Sequence, residues 1–213
     1  MSGIVGIVNL DGAPADLPLL RGMTEALAFR GPDGQQTWCD GPVAFGHTLL
    51  RTGPATGRDE QPASLDGKIW ITADARIDAR EELIAKLRSL GSEVSLADPD
   101  HWLILHAYRA WGSGCVEHLL GDFAFAIWDK EARRLFCARD HFGFKPFYYA
   151  RLGNSLVFSN TLDCLRMHPE VSDALNDLAI ADFLLFGGNQ TPETTSFADI
   201  QRVPAAHTLT WAE

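Results

Sequence analysis

The sequence predicts an α+β fold on three observations. Apolar, β-branched runs lie in both halves of the chain, segments with helical periodicity flank them, and the second half reads as consecutive strands joined by short turns. A doubly wound parallel sheet would instead separate each strand from the next by a helix. At 213 residues, 46% of them hydrophobic and 22% charged, the chain has the length and composition of one large globular domain spanning 1–213.

Gly3 to Asn9 is a β-branched run closed by the turn signal Leu10-Asp11-Gly12-Ala13-Pro14, which places a strand almost at the first residue. Leu19, Leu20, Met23, Leu27 and Ala28 recur at helical spacing, and Arg30-Gly31-Pro32-Asp33-Gly34 ends that helix. Strands are predicted at Gln35 to Cys39, Pro42 to Leu50 and Lys68 to Asp74, the last preceded by a polar loop from Thr52 to Asp66 that is long enough to border a site. Asp78 with Glu81 three residues on has the form of a capping box, so a helix is predicted over Asp78 to Leu90, and Asp98-Pro99 starts another that runs to about Trp111. A β-meander follows, with strands at Phe123 to Asp129, Arg134 to Asp140, Pro146 to Arg151 and Ser155 to Asn160. In its first strand Phe123, Phe125 and Ile127 face one way and Ala124, Ala126 and Trp128 the other, as in a strand buried on both sides between a sheet and a helix layer. Asn176 caps a helix through Phe186, and a last strand is expected at His207 to Trp211.

Eighteen Lys and Arg against 28 Asp and Glu give a net charge of −10, which repels phosphate backbones and anionic lipid and argues against a nucleic-acid partner. No apolar run approaches the ~18–20 residues of a membrane span, so no membrane association is expected and the location is read as cytoplasmic. Cys39, Cys115, Cys137 and Cys164 form no CxxC pair and are read as buried free thiols. The seven histidines show no HxxxH spacing, and neither a GxxxxGK[ST] nor a GxGxxG loop is present, so neither a metal nor a cofactor is expected.

The chemically suggestive feature is Met1-Ser2-Gly3 leading directly into a strand. Removal of Met1 would leave Ser2 with a hydroxyl nucleophile and a free α-amine able to serve as its base. With a reference pKa near ~7.7–8.0, that amine is neutral in roughly a tenth of molecules at pH 7. Arg139-Asp140 and Lys145-Pro146 flank a glycine loop, where the expectation is a structural ion pair at a turn.

Several segments then form an ordered set: Ser2 to Val8, Arg30 to Gly34, Gly46-His47, Gln61-Pro62, Gly121 to Asp129, and Ala138 to Tyr149. Over residues 1 to about 211 the set resembles the N-terminal glutaminase domain of the asparagine synthetase family. The resemblance implies an N-terminal-nucleophile (Ntn) hydrolase fold, an αββα sandwich of two mainly antiparallel sheets. It also implies a class II glutamine amidotransferase, in which a cysteine after the initiator Met splits glutamine into glutamate and ammonia. The implied partners are glutamine or a related small amide and an ATP-pyrophosphatase synthetase domain or subunit; a homo-oligomer is left open. The Ser-Gly-Gly-x-Asp-Ser loop of such a synthetase domain is not in this sequence, so the synthetase step is expected to lie outside this polypeptide.

The residues at the implied pocket depart from the family's pattern. Ser2 stands where the family has its cysteine, a weaker nucleophile in place of a thiolate-forming one. Leu49 stands where the family's arginine holds the glutamine carboxylate, and Arg51, expected on the same strand face, replaces it only in part. Asp74-Ala75-Arg76 aligns with the family's Asn-Gly-Glu. The asparagine is an oxyanion donor there, so an ionised Asp74 opposes the developing charge, the Ala75 N–H is left as donor, and Arg76 reverses the polarity near the ligand amine. Asp100 matches the acidic residue that holds the substrate's amino group. Three functions remain open on this reading: a weakened or lost glutaminase, a non-catalytic interaction module for a synthetase-like partner, and an N-terminal-serine amidase with another substrate.

Overall fold

The computed structural model describes residues 1–52 and 58–212. In chain order its elements are β1 (Gly3–Asn9), α1 (Leu17–Ala26), β2 (Gly34–Asp40), β3 (Val43–Leu49), β4 (Ala63–Ser64), β5 (Ile69–Asp78), α2 (Arg80–Ser89) and α3 (Asp100–Trp111), followed by a 3₁₀ turn at Gly112–His118. Then come β6 (Leu120–Asp129), β7 (Arg134–Arg139), β8 (Tyr148–Leu152), β9 (Ser155–Ser159), α4 (Leu162–Arg166), α5 (Asp177–Phe186), β10 (Gln201–Arg202) and β11 (Thr208–Ala212).

The strands form two sheets, ordered β10-β8-β9-β1-β3-β2 and β11-β7-β6-β5-β4, with antiparallel pairing throughout. Alternation along each strand divides the core into three apolar layers. Ile4, Val8, Phe45 and Phe158 of the first sheet meet Ala124, Ala126 and Leu135 of the second between the sheets. Val5, Ile7 and Val157 turn outward onto Leu20, Met23 and Leu165 of α1 and α4. Phe123, Phe125 and Ile127 turn the other way, onto a layer that includes Leu83, Leu87, Leu103 and Ala107 of α2 and α3. Helix, sheet, sheet, helix is therefore the layer order, and β6 is buried on both faces as its pattern predicts.

Five expectations need correction. The meander is two hairpins in different sheets: β6 and β7 pair in one, β8 and β9 in the other. Between them the chain crosses over 140–147, a loop that side chains hold. Asp140 accepts from the backbone N–H groups of Phe142, Phe144 and Lys145 at 3.1, 3.0 and 2.9 Å, and Arg139 donates to the carbonyls of Gly143, Lys145 and Val203 at 2.5, 2.7 and 2.8 Å. The turn is thus built by side chain to backbone bonds, and Lys145 is free to point elsewhere.

Asp78 does not cap α2. It is the last residue of β5, paired opposite Leu120, and its carboxylate takes Arg76 at 3.0 Å instead. Strand β5 runs four residues past its predicted end because β6 offers a partner that far. The Thr52 to Asp66 loop contains the short strand β4, and its positions 53–57 lie outside the described residues. Of the cysteines, Cys115, Cys137 and Cys164 are buried thiols but Cys39 is exposed, on the edge strand β2.

Candidate functional site

A cavity of about 650 Å³ opens where the N-terminal end of β1 meets β5 and the start of α3. Ser2, Arg51, Asp74, Ala75, Arg76 and Asp100, the six residues singled out from the sequence, all border it. So do residues that were not singled out, chiefly Lys145, Arg80, Gln61 and His101.

Ser2 is fixed at the head of the central strand β1 through its backbone. Asn160 donates to the Ser2 carbonyl at 2.8 Å and accepts from the Ile4 N–H at 3.2 Å, so one amide side chain grips the main chain on both sides of Gly3. Arg30 adds a bond from Nε to the same carbonyl at 3.3 Å. Its approach depends on Gly31: a Cβ there would lie 2.3 Å from the Thr48 backbone. The remaining polar atoms of Ser2 face the cavity side, with Oγ accepting from the Leu50 N–H at 3.2 Å and the backbone nitrogen donating to Asp74 Oδ1 at 3.2 Å.

Asp74 is 4% exposed, and its carboxylate is the electrostatic centre of the site. Lys145 Nζ donates to it at 3.0 Å and the Arg30 guanidinium lies 3.7 Å away. The negative charge expected to oppose an oxyanion is therefore largely balanced by two cations on separate elements. The Met1 amine, next to this cluster, is lowered from its ordinary pKa mainly by burial, with Asp74 opposing and Lys145 and Arg30 assisting.

The open edge of β5 supplies a backbone donor. Ala73 bonds the Gln61 amide in both directions, N–H to Oε1 at 2.7 Å and carbonyl from Nε2 at 3.1 Å, so the polar groups of Ala73 point away from β6. Polar groups two residues apart on a strand share an edge, and the Ala75 N–H accordingly points the same way, toward the cavity. At the far side of this wall, Gly121 has φ +134° and a Cβ there would sit 2.0 Å from the Arg76 carbonyl, so β6 can lie this close to β5 only with glycine.

The remaining residues differ from expectation in their engagements. Arg51 lies beyond the end of β3, not on its face, because the strand stops at Leu49; its guanidinium is 3.9 Å from Asp59. Arg76 is turned to Asp78 and Asp122 at 3.0 and 3.2 Å, with its side chain 64% exposed. Asp100, the first residue of α3, is paired with Arg80, which also donates to the carbonyls of Asp98 and Leu96. Burial raises the Asp100 pKa, and the Arg80 charge works against that rise. His101 borders the cavity and His47 lies behind it; they are driven down to about 4 and about 3 mainly by burial, and both are neutral at physiological pH. Gln61 Nε2 donates to His47 Nε2 at 3.2 Å, whereas His101 Nε2 is buried without a partner among the described residues. Among the described residues no cluster of His, Cys, Asp or Glu could hold a metal ion.

Two antiparallel sheets between helix layers form an αββα sandwich, the layer order of the Ntn-hydrolase fold. The fold agrees with that of the glutamine phosphoribosylpyrophosphate amidotransferase from B. subtilis complexed with ADP and GMP: TM-score 0.67, 15% identity, covering 98% of this chain and 46% of that one. The sequence model of the glutamine amidotransferase domain matches residues 1–213, and the chain belongs to that family. Among curated relatives, asparagine synthetase [glutamine-hydrolyzing] 3 of Bacillus subtilis (strain 168) is 33% identical over 193 residues, covering 90% of this chain and 31% of the relative. Asparagine synthetase [glutamine-hydrolyzing] 2 of the same organism is 33% identical over 217 residues, covering 98% and 28%. The chain thus spans under a third of the length of these relatives.

Proposed function

We propose that this domain receives a primary carboxamide in the cavity beside Ser2 and hydrolyses it slowly, as an amidotransferase domain of the asparagine synthetase kind whose glutamine hydrolysis is weakened. The observation that carries this reading is the convergence of the Ser2 Oγ and backbone nitrogen on the cavity side with the outward-pointing Ala75 N–H. After removal of Met1, Ser2 Oγ would attack the amide carbon while its α-amine takes the hydroxyl proton. The Ala75 N–H would stabilise the oxyanion, and the amine would return the proton to the departing ammonia. Water then hydrolyses the ester, releasing the acid. The cost lies in the groups present: a hydroxyl attacks less readily than a thiolate, and Asp74 offers no N–H to the oxyanion. An ATP-pyrophosphatase synthetase domain or subunit would be the consumer of the ammonia.

The test is ammonia release from glutamine by the wild type, Ser2→Ala and Ser2→Cys, with mass spectrometry to establish that Met1 is gone. Slow release that Ser2→Ala abolishes and Ser2→Cys raises on the order of tenfold or more supports the proposal. Equal rates in all three refute catalysis at Ser2. That outcome would favour a non-catalytic interaction module, a reading to which the two cations already engaged with Asp74 lend support.

A further inference from the structure

The cavity wall carries four carboxylates, of Asp59, Asp74, Asp98 and Asp100, and each already has a cation at ion-pairing distance: Arg51, Lys145, Arg58 and Arg80 respectively. A ligand that brings an ammonium group therefore finds no unpaired carboxylate among these four. The most complete of these engagements is at the start of α3, where the Arg80 guanidinium covers Asp100 and donates as well to the Asp98 and Leu96 carbonyls. One carboxylate and two carbonyls thus meet one guanidinium, Asp100 at Nη1 and the two carbonyls at Nη2, and a group of three such acceptors suits an alkylammonium with its three N–H donors.

The backbone holds Arg80 in that place. Ala79, between β5 and α2, has φ 48° and ψ 38°, the left-handed conformation that a residue with a Cβ adopts at a cost. This turn brings Arg80, the first residue of α2, across to the first residue of α3. Both side chains are 26% exposed, which is sheltered enough to strengthen their attraction over that of a surface pair.

We propose that Arg80 is the specificity-determining residue of the cavity: it fills the position an amino group of the ligand would take, so that the site selects primary carboxamides whose other end carries no ammonium. This rests on the cavity being an amide site and adds the substrate class. A ligand with an α-amino group would have to displace Arg80 from Asp100 and leave the guanidinium unpaired in the wall, whereas an ω-carboxamide lacking that group disturbs no ion pair.

The experiment compares L-glutamine with glutaramate, the same ω-amide acid without the α-amino group, by thermal shift and calorimetry on the full chain. Wild type is expected to bind glutaramate about tenfold or more tightly than glutamine, and Arg80→Met, which keeps the length and removes the charge, to reverse or erase that preference. Equal or tighter binding of glutamine by wild type overturns the proposal without any variant, and leaves the amide site standing. An unchanged preference in a folded Arg80→Met also overturns it. If neither compound binds wild type or Arg80→Met, the amide-site reading falls, and this inference with it.

Discussion

The ammonium of Lys145, the guanidinium of Arg30 and the Ser2 backbone nitrogen all lie within 3.7 Å of the Asp74 carboxylate, which is only 4% exposed. Such a cluster is costly to desolvate and costlier to break, because removing one charge strands the others. Asp74→Asn should therefore act in opposite directions on two measurements. It supplies an N–H beside Ser2 where the carboxylate offers none, so in a Ser2→Cys background glutamine hydrolysis should rise by about 100-fold. It also leaves Lys145 and Arg30 without their counter-ion, so the free energy of unfolding in urea should fall by about 3 kcal/mol. A variant as stable as its parent would mean that the two cations do not depend on Asp74. A variant no faster would mean that the Asp74 carboxylate does not limit hydrolysis at this site.

The elements show which features a sequence can disclose. Strands β1, β3, β6 and β9 were legible because alternation and β-branching are local, and α5 because Asn176 caps it, its side chain accepting from the Ala179 N–H at 3.1 Å. The switch of sheet between β7 and β8 was not, since periodicity carries no information about which sheet a strand joins; that choice lies in Arg139 and Asp140 capturing loop backbone. The false capping box at Asp78 has the same origin, a side chain whose partner, Arg76, sits behind it on the strand. Within the site, Ser2, Asp74, Ala75 and Asp100 came from the family's motifs, whereas Arg80 and Asn160 reach it from separate elements with no spacing signal; Arg30 lies in the quoted Arg30 to Gly34 segment, which was read only as the end of a helix. Lys145 lay in a quoted motif and was read as part of a turn. The β5–α2 junction offers a test at this scale. Ala79 is held at φ 48°, so Ala79→Gly should stabilise the domain by about 0.5 kcal/mol, seen as a higher urea midpoint with an unchanged slope. A lower midpoint would show that the left-handed turn costs alanine nothing here.

For the whole molecule, the two buried histidines at the cavity wall set a limit on acid stability. His47 and His101 are 2% and 4% exposed and titrate near 3 and 4 in the folded protein, against an ordinary value near 6.5, because burial disfavours their charged forms. Above about pH 6.5 both states hold these rings neutral and stability is independent of them. Below it the unfolded chain binds two protons that the folded chain refuses until about pH 4, so stability must fall as pH falls, by about 3 kcal/mol per pH unit at the steepest. Set against a typical total of about 5–15 kcal/mol, that loss brings the domain toward unfolding between about pH 5 and 4. The raised Asp100 pKa acts the other way, since a carboxyl that takes its proton more readily when folded gains stability on acidification, while burial also lowers the pKa of His106 and His168 and so adds to the loss. Urea unfolding from pH 7.5 to 4.5 should show a plateau and then this decline, and His101→Gln should reduce the slope by about half over the same range. A flat profile down to pH 5 would mean that water reaches these rings, and with it the low-dielectric wall that strengthens every ion pair in the cavity would be lost.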